Sequence, residues 1–352
     1  MAYILHNLSR DEVEHYPKKS GSLFHDPDNL DTRIVNVDVG CKFGIHPASV
    51  PIKDLCDHYL LDADESEVQR LKQHYSNHNN IDLDCYFVGR NSKRREQERL
   101  FLYSHSGGHS KYLPDSARGY WKNFRKGSGT IVGEKIVPKI SLDEFSQSKS
   151  IQPDFLKIDV EGAELEVLEG AEVILSDSVL GVRIEVELNP LYKNQEPTYG
   201  EVNKRLREKG FEFLFFDKFF TNSYTPFSNF FVEEPYGQLV GADAIYVLSP
   251  DEILNRGNAR QVLDYAIFCF CNKATDLGMH ILVEGVEQKI YNAEEWKHTK
   301  RYKFLEKNVA TLLFNLQDKP GNSLKEFSSL WKKIFASDWI DYGDFYKRFP
   351  LT

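Results

Sequence analysis

Short apolar segments alternate with amphipathic segments between residues 31 and 250 of the chain. Runs typical of strands cover residues 32–38, 58–62, 81–88, 100–104, 136–140, 155–159, 180–188, 211–216 and 242–248. Residues 66–75, 163–175 and 201–209 place apolar side chains at helical spacing. Because strands and helices alternate, the pattern predicts an α/β fold with a mostly parallel sheet covered on both faces. The last two strands have no helix between them, which predicts an antiparallel pair at the sheet edge.

The two ends of the chain differ from this alternating region. Residues 1–30 are polar and contain Pro17, Gly21 and Pro27, so they are interpreted as an N-terminal lead-in. Residues 251–352 contain longer apolar runs at helical spacing, notably 261–277 and 302–316. We therefore expect a lead-in over 1–30, an α/β domain over 31–250 and a helical C-terminal appendage over 251–352.

Composition and charge narrow the function classes. The chain has 352 residues, 41% of them hydrophobic, and a formal net charge of −9, which disfavours both intrinsic disorder and a general nucleic-acid surface. Its five cysteines have no disulfide spacing, which favours reduced thiols. The sequence has neither a secretory apolar core nor a run near the roughly 18 apolar residues of a membrane helix. We expect a cytoplasmic protein without nucleic-acid partners or membrane spans, whose oligomeric state the sequence leaves open.

The first predicted strand ends in a glycine-containing turn, Asp38–Gly44, with the sequence DVGCKFG. Gly40 and Gly44 allow the backbone to approach a ligand at the carboxyl end of the strand, and Cys41 lies between them. The turn lacks the G-x-G-x-x-G spacing of a dinucleotide site, so an NAD-dependent oxidoreductase is disfavoured. Asp38 is placed to hold an ammonium group of the ligand. A simple tight turn capped by Asp38 is the structural alternative.

The second predicted strand ends at Asp62, followed by Ala63. An acid about 20 residues after the first turn is placed to accept hydrogen bonds from both hydroxyls of a ribose. Asp64 lies at the same strand end and competes for this role. A helix-capping role is favoured for Asp64.

The run from Phe155 to Ala163, FLKIDVEGA, delivers Asp159 and Glu161 to the edge of the sheet where ligands bind. Glu187 closes the next predicted strand, and Glu185 on the same face is ranked below it. Some of these carboxylates can instead cap helices or pair with neighbouring basic side chains.

At this run the chain resembles the FkbM-type methyltransferase family, for which an LKIDVEGAE-like sequence is a marker. Residues 36–44, 61–71, 185–192 and 237–246 extend the resemblance, which is collinear over about residues 33–250. It implies a Rossmann-like class I methyltransferase sheet and S-adenosylmethionine as the cofactor. It also implies methylation mostly of hydroxyl oxygens in glycan or secondary metabolism. Residues 106–113 (SGGHSKYL) depart from the P-G-C-S-S-L-like stretch of one branch, which leaves the acceptor uncertain.

Together the motifs and the resemblance give a set of candidate residues. The predicted cofactor-binding residues are Asp38, Gly40, Cys41, Gly44, Asp62 and Ala63. The predicted catalytic residues are Asp159, Glu161, Glu187 and His109. A hydroxyl is a poor nucleophile, so these residues would act as a general base or hold a divalent metal such as Mg²⁺ or Ca²⁺. Metal dependence is left open, and an exposed loop histidine is the alternative for His109.

The acceptor side is less defined. Basic residues at 90–99 and 118–126 suggest an anionic small-molecule or glycan acceptor, with a solvated charged loop as the alternative. The aromatic stretch 215–231 is interpreted as a lid or as a face buried against the C-terminal helices. A catalytically inactive methyltransferase-like fold that acts as a partner-binding protein is the alternative function.

Overall fold

The computed structural model describes residues 32–91, 96–118, 120–121, 129–194, 198–222, 237–317 and 324–335. The predicted lead-in over 1–30 lies outside these residues, as do most of the basic stretch 118–126 and the second half of the aromatic stretch 215–231. Among the described residues, no helix has the length and apolar character needed to cross a bilayer.

Strands form two sheets. The strands are β1 (Ile34–Val39), β2 (Cys56–Asp62), β3 (Ile81–Cys85), β4 (Phe87–Val88), β5 (Gln97–Tyr103), β6 (Ile131–Ile140), β7 (Phe155–Ile158), β8 (Gly181–Glu187), β9 (Phe211–Asn222) and β10 (Gln238–Leu248). The main sheet has the order β3-β2-β1-β7-β8-β10-β9, and its first five strands are parallel. The predicted Rossmann-like sheet is confirmed, and so is the antiparallel pair at its edge, formed by β9 and β10.

Burial follows from the position of each strand in the main sheet. Every residue of the central strand β1 is buried, as expected for a parallel strand covered on both faces. β10 lies between β8 and the edge strand β9 and runs antiparallel to both.

Because β1, β2, β7 and β8 are parallel, their carboxyl ends meet at one edge of the sheet, where Rossmann-like folds bind ligands.

A second, three-stranded sheet interrupts the alternating order between β3 and β7. Its order is β4-β6-β5, with β5 and β6 antiparallel. The apolar pattern predicted most of these segments as strands but gave no sign that they leave the main sheet. Strand periodicity reports which face of a strand is buried, and it does not report which neighbour the strand pairs with.

Helices alternate with the strands of the main sheet and form most of the described chain after β10. They are α1 (Glu65–His74), α2 (Leu142–Lys149), α3 (Glu164–Glu169), α4 (Glu172–Asp177), α5 (Tyr199–Glu208), α6 (Pro250–Arg256), α7 (Ala259–Cys271), α8 (Thr275–Glu287), α9 (Ala293–Trp296), α10 (Lys300–Gln317) and α11 (Leu324–Phe335). Two 3-10 helices, η1 (Pro47–Ile52) and η2 (Ser106–Gly108), lie near the sheet edge. A capping box formed by Ser141 and Glu144 begins α2.

Two predicted helices are divided. The helix expected over 163–175 breaks at Gly170 into α3 and α4. A Cβ at Gly170 would lie 2.0 Å from the Gly89 carbonyl oxygen, so the chain is held against the second sheet there. The run over 261–277 breaks after Cys271, where Lys273 adopts a left-handed φ of 66°. Apolar periodicity continued across both breaks, because the two helices of each pair bury their apolar faces in one core.

The C-terminal helices share a hydrophobic core with the main sheet. The Phe268 ring of α7 packs 5.1 Å from that of Phe155 on β7. Arg260 pairs with Asp154 just before β7, and Arg301 donates to the Thr32 carbonyl oxygen beside β1. The helical character predicted for this region is therefore present, while the domain boundary at residue 250 stays a prediction.

Candidate functional site

A cavity of about 550 Å³ opens at the carboxyl ends of the parallel strands. Nine of the ten predicted site residues line it: Asp38, Gly40, Cys41, Gly44, Asp62, Ala63, His109, Asp159 and Glu161. A more open surface depression lies near Arg33 and Lys300, away from these residues, and contains none of the predicted site residues. The sequence motifs therefore converge on one cavity, whose volume suits a small-molecule ligand.

The turn after β1 needs glycine at two positions. Gly40 has a φ of +79°, and a Cβ there would lie 1.7 Å from the Asp159 carbonyl oxygen. Gly44 has a φ of +89°, and a Cβ there would lie 2.4 Å from the Tyr75 hydroxyl. The turn is thus pressed against the end of β7, and larger residues at either position would force it apart.

Lys157 lies at the centre of the site and connects the turn with the carboxylates of β7. Its Nζ donates to the Gly40 carbonyl oxygen at 2.7 Å and lies 3.2 Å from Asp38 Oδ1 and 3.4 Å from Asp159 Oδ2. Its side chain is only 11% exposed, and the Asp38 side chain 1%. Burial raises the pKa of Asp38, and the Lys157 ammonium opposes that rise.

The two acids after β2 have different environments. Asp62 lines the cavity, and its Oδ1 accepts a hydrogen bond from the Asp64 backbone N–H at 2.8 Å. Burial raises the pKa of Asp62 to about 6. Asp64 is instead the N-cap of α1 and accepts from the Ser66 backbone N–H. The sequence interpretation of Asp64 as a helix cap is therefore confirmed.

Three carboxylates gather where β7 and β8 end. Oxygen atoms of Asp159, Glu161 and Glu185 all lie within 4.8 Å of one another. Burial and the neighbouring Asp159 carboxylate raise the pKa of Glu185 well above its usual value. Burial also acts to raise the pKa of Asp159, but Lys157 and a hydrogen bond from Glu185 outweigh it and lower that pKa. These opposite shifts favour the proton on Glu185 and the ionised form of Asp159.

Glu161 is held in an unusual backbone conformation by three other segments. Its φ is 54°, a left-handed value that is uncommon for a residue other than glycine. Ser110 donates to its carbonyl oxygen, and the Tyr192 hydroxyl donates to its Oε2, each at 2.7 Å. The buried Glu164 carboxylate accepts from the Gly162 backbone N–H at 3.0 Å. Such strain persists only where the surroundings fix it, and it concentrates at functional sites.

Among the described residues that line the cavity, Glu185 is present and Glu187 is not. The register explains the difference. Lys157 pairs with Arg183 and Ile158 with Ile184, so Asp159 falls level with Glu185. Glu187 is 7% exposed, and burial raises its pKa well above the usual value. The sequence ranking of Glu187 above Glu185 is not supported by this geometry.

His109 and a second histidine, His46, line the cavity as neutral rings. His109 Nδ1 accepts from the Tyr103 backbone N–H at 3.1 Å, so its proton lies on Nε2, which faces Asp64 Oδ2 at 3.7 Å. His46 Nδ1 accepts from the Ala48 backbone N–H. Burial lowers the pKa of each histidine to about 4. Neither ring therefore has an unprotonated nitrogen available as a base, and the carboxylates are the better candidates.

Four residues at the site have no assigned role in the sequence prediction. Lys157 belongs only to the basic neighbours of the carboxylates there, although its i, i+2 spacing to Asp159 places both on one face of the chain at the end of β7. Tyr192 was part of the family resemblance but had no assigned role. Tyr86 and Phe87, which line the cavity beyond Ala63, had no signal beyond their apolar character.

The two described arginines of the basic stretch 90–99 pair with carboxylates. Arg90 pairs with Glu169, and Arg99 lies 3.5 Å from Glu134. Neither arginine is among the residues that line the cavity. These two arginines therefore give no support to an anionic acceptor.

The fold and site define a class of protein. A Rossmann-like sheet with an acid after each of its first two strands, and without a dinucleotide fingerprint, is the arrangement of class I methyltransferases. Residues 42–213 match the family model described as the methyltransferase FkbM domain. These residues therefore form a methyltransferase FkbM domain, and the protein is a methyltransferase of the S-adenosylmethionine-dependent class.

Solved structures that align with the chain include three bacterial methyltransferases. One, from Streptococcus pneumoniae, is a proposed tRNA methyltransferase; it has 12% identity, 88% coverage of this chain, 93% of its own and a TM-score of 0.31. A TehB-like methyltransferase from Corynebacterium glutamicum has 11% identity, covers 62% of this chain and 82% of its own, and has a TM-score of 0.28. Precorrin-6y C5,15-methyltransferase from Geobacter metallireducens has 13% identity, covers 63% of this chain and 85% of its own, and has a TM-score of 0.28. TM-scores this low carry no argument about acceptor or mechanism. No curated protein is significantly similar to the chain in sequence.

Proposed function

We propose that this protein transfers the methyl group of S-adenosylmethionine to a hydroxyl oxygen of a sugar, glycan intermediate or other hydroxylated small molecule. The observation that carries the proposal is the cluster of Asp159, Glu161 and Glu185 at the end of the cavity beyond the β1 turn. Carboxylates there can accept hydrogen bonds from several hydroxyls of one acceptor and remove the proton of the reacting one.

The other half of the cavity suits the cofactor. Asp38 would hold the ammonium of its amino-acid end, and Gly40, Cys41 and Gly44 would let the backbone approach it. Asp62 would accept hydrogen bonds from the ribose hydroxyls, oriented by the Asp64 backbone N–H. Tyr86, Phe87 and Ala63 offer an apolar wall beside this acid, which fits an adenine ring. S-adenosylmethionine has no phosphate, so the site does not require the G-x-G-x-x-G turn that binds the phosphates of a dinucleotide.

The chemistry assigns different parts to the carboxylates. The acceptor oxygen attacks the methyl carbon, the new O–C bond forms as the C–S bond breaks, and S-adenosylhomocysteine leaves as a neutral thioether. Asp159, in its ionised form, takes the hydroxyl proton. Glu185, in its protonated form, donates a hydrogen bond to the Asp159 carboxylate and thereby orients that carboxylate. Glu161, fixed by Tyr192, holds a second hydroxyl of the acceptor.

One cation supports an anionic group on the acceptor. Lys218 and Phe220 line the cavity at its β9 side, and the Lys218 ammonium lies 4.8 Å from the Phe220 ring centroid. Lys42 and Lys111, which also line the cavity, form salt bridges with carboxylates, whereas Lys218 acts on the Asp243 carboxylate opposite it on β10 without a salt bridge among the described residues. An anionic substituent of the acceptor would find its partner there, and a sugar ring would find the Phe220 face.

The test is transfer of a labelled methyl group from S-adenosylmethionine to panels of neutral sugars, sugar acids, nucleotide-linked sugars and RNA. The product of any positive reaction is analysed by NMR for a methyl ether. We expect a hydroxylated small molecule to be labelled and RNA to remain unlabelled. Saturable S-adenosylhomocysteine binding with no transfer to any panel would support an inactive, partner-binding protein instead.

Replacing Asp62 should weaken cofactor binding. For Asp62→Ala we expect a loss of S-adenosylhomocysteine affinity of about tenfold or more, because hydrogen bonds to a charged group are lost. The measurement is isothermal titration calorimetry. Asp64→Ala is the matched control, since it removes a helix cap and should cost about 1 kcal/mol of stability while leaving affinity unchanged. If Asp64→Ala weakened S-adenosylhomocysteine binding and Asp62→Ala did not, Asp64 would be the ribose-binding acid instead of Asp62.

Turnover should not need a divalent metal. Three carboxylates could accept Mg²⁺ or Ca²⁺, but the Lys157 ammonium already supplies a positive charge 3.4 Å from Asp159. We therefore expect enzyme treated with EDTA and then dialysed to keep its methylation rate on the acceptor found above. A rate that is lost and then restored by added Mg²⁺ would establish a metal-dependent mechanism.

A further inference from the structure

The cofactor half and the acceptor half of the cavity meet at one buried ammonium. Lys157 Nζ reaches Asp38 on the cofactor side, Asp159 on the acceptor side and the Gly40 carbonyl oxygen of the turn between them. The ammonium donates a hydrogen bond to the Gly40 carbonyl oxygen, and the two carboxylates lie within ion-pair distance of it. The side chains of Lys157 and Asp38 are nearly buried, so solvent screens their ion pair little, whereas the Asp159 side chain is 40% exposed.

The two carboxylates that Lys157 joins have different tasks in the proposed function. Asp38 would receive the positively charged end of the cofactor, and Asp159 would receive a proton from the acceptor. Both need to be ionised for these tasks, and burial opposes ionisation of each. The residues that face Asp38 most closely are Lys157, Asp159, Cys41 and the His46 backbone N–H, so Lys157 is the cation among them.

We propose that Lys157 is a positioning residue whose ammonium bridges Asp38 and Asp159, and thereby ties the geometry of cofactor binding to that of acceptor activation. The close approach of Gly40 to the Asp159 backbone supports this coupling, since the turn and the end of β7 cannot move independently. Lys157 acts through the two carboxylates and needs no contact with either substrate. The inference rests on the proposed function of this same cavity.

A double-mutant cycle on cofactor binding tests the bridge. The variants are Lys157→Met, Asp38→Asn and their combination, with S-adenosylhomocysteine as the calorimetric probe. We expect each single change to weaken binding by about tenfold and the double variant to be no more than about threefold weaker than Asp38→Asn, since Lys157 acts through Asp38. Additive losses, giving about a hundredfold in the double variant, would overturn the proposal.

A pH series separates this role from a merely structural one. Without Lys157, Asp38 should ionise only at higher pH, so the affinity of Lys157→Met should rise with pH more steeply than that of the unmodified protein, in which Asp62 also titrates with a pKa of about 6. Equal pH profiles would contradict the bridge. If Lys157→Met does not fold, comparison of Asp38→Asn with the double variant decides alone, because neither of these variants contains a buried Asp38 carboxylate that lacks its cation.

Lys139→Met is the matched control. Its side chain has the same 11% exposure and lies near Glu96 and Glu98, outside the residues that line the cavity. We expect it to bind S-adenosylhomocysteine normally. If the proposed function fails, the unmodified protein does not bind S-adenosylhomocysteine. If only this inference fails, the unmodified protein binds it, and the Lys157→Met change either leaves affinity unaltered or adds its loss to that of Asp38→Asn.

Discussion

Asp159→Asn should reduce methyl transfer by about a hundredfold or more while S-adenosylhomocysteine affinity stays within about threefold. General-base catalysis contributes roughly 10²–10⁴ in rate, and an amide cannot take the hydroxyl proton. Asparagine keeps the shape and one hydrogen-bond acceptor of the side chain, so the cofactor half of the cavity should be preserved. Single-turnover transfer on the identified acceptor, together with calorimetry, measures the two effects separately. A variant that retains its full rate would remove Asp159 from the chemistry.

Glu187→Gln is the comparison for this experiment. Glu187 is buried with a raised pKa, which favours its protonated form, and glutamine imitates that form closely. We expect this variant to lose less than about threefold in rate. A loss as large as that of Asp159→Asn would favour the ranking that the sequence alone gave, with Glu187 at the acceptor.

Arg260→Met should lower the free energy of unfolding by about 3–5 kcal/mol, the range for breaking a buried ion pair by removing one partner. Arg260 lies between two almost fully buried carboxylates, 3.0 Å from Asp154 and 3.2 Å from Asp264. Arg301 pairs with Asp264 as well, but Asp154 has no other described cationic partner. Removing Arg260 therefore leaves Asp154 buried without a counter-charge. Equilibrium denaturation in urea measures the loss.

The matched control for this prediction is Arg256→Met. Arg256 pairs with Glu252 one turn away on α6, and the Glu252 side chain is 53% exposed. Exposed pairs of this kind contribute about 0.3–0.5 kcal/mol, so the control should unfold near the same urea concentration as the unmodified protein. A loss below about 1 kcal/mol in Arg260→Met would mean that the buried network is relaxed by other groups.

The sequence predicted those parts of the site that depend on strand ends. The turn after β1, the acid after β2 and the pair after β7 each follow a short apolar strand, and parallel strands bring such ends together. The choice of Asp62 over Asp64 for the cavity also followed from local chemistry, because Asp64 precedes a helix and its side chain suits a cap.

Pairing between strands lay beyond the sequence. Glu185 and Glu187 have the same side-chain phase, and only the register of β7 against β8 sets Glu185 level with Asp159. The tautomer of His109 likewise depends on the Tyr103 backbone N–H, a contact made by the separate three-stranded sheet. These long-range pairings decide which candidate faces the ligand, and a local pattern does not contain them.

The segment that matches the family model is shorter than the sheet to which it belongs. The family match covers residues 42–213, yet β1 precedes it and β10 follows it. β1 lies between β2 and β7, and β10 between β8 and β9. A fragment limited to residues 42–213 would lack these two interior strands, most of the edge strand β9 and the C-terminal helices that share the core. The backbone groups of β2, β7 and β8 that face the missing strands would then lose their hydrogen-bond partners, so we expect the smallest stable fragment to be longer than the stretch that matches the family.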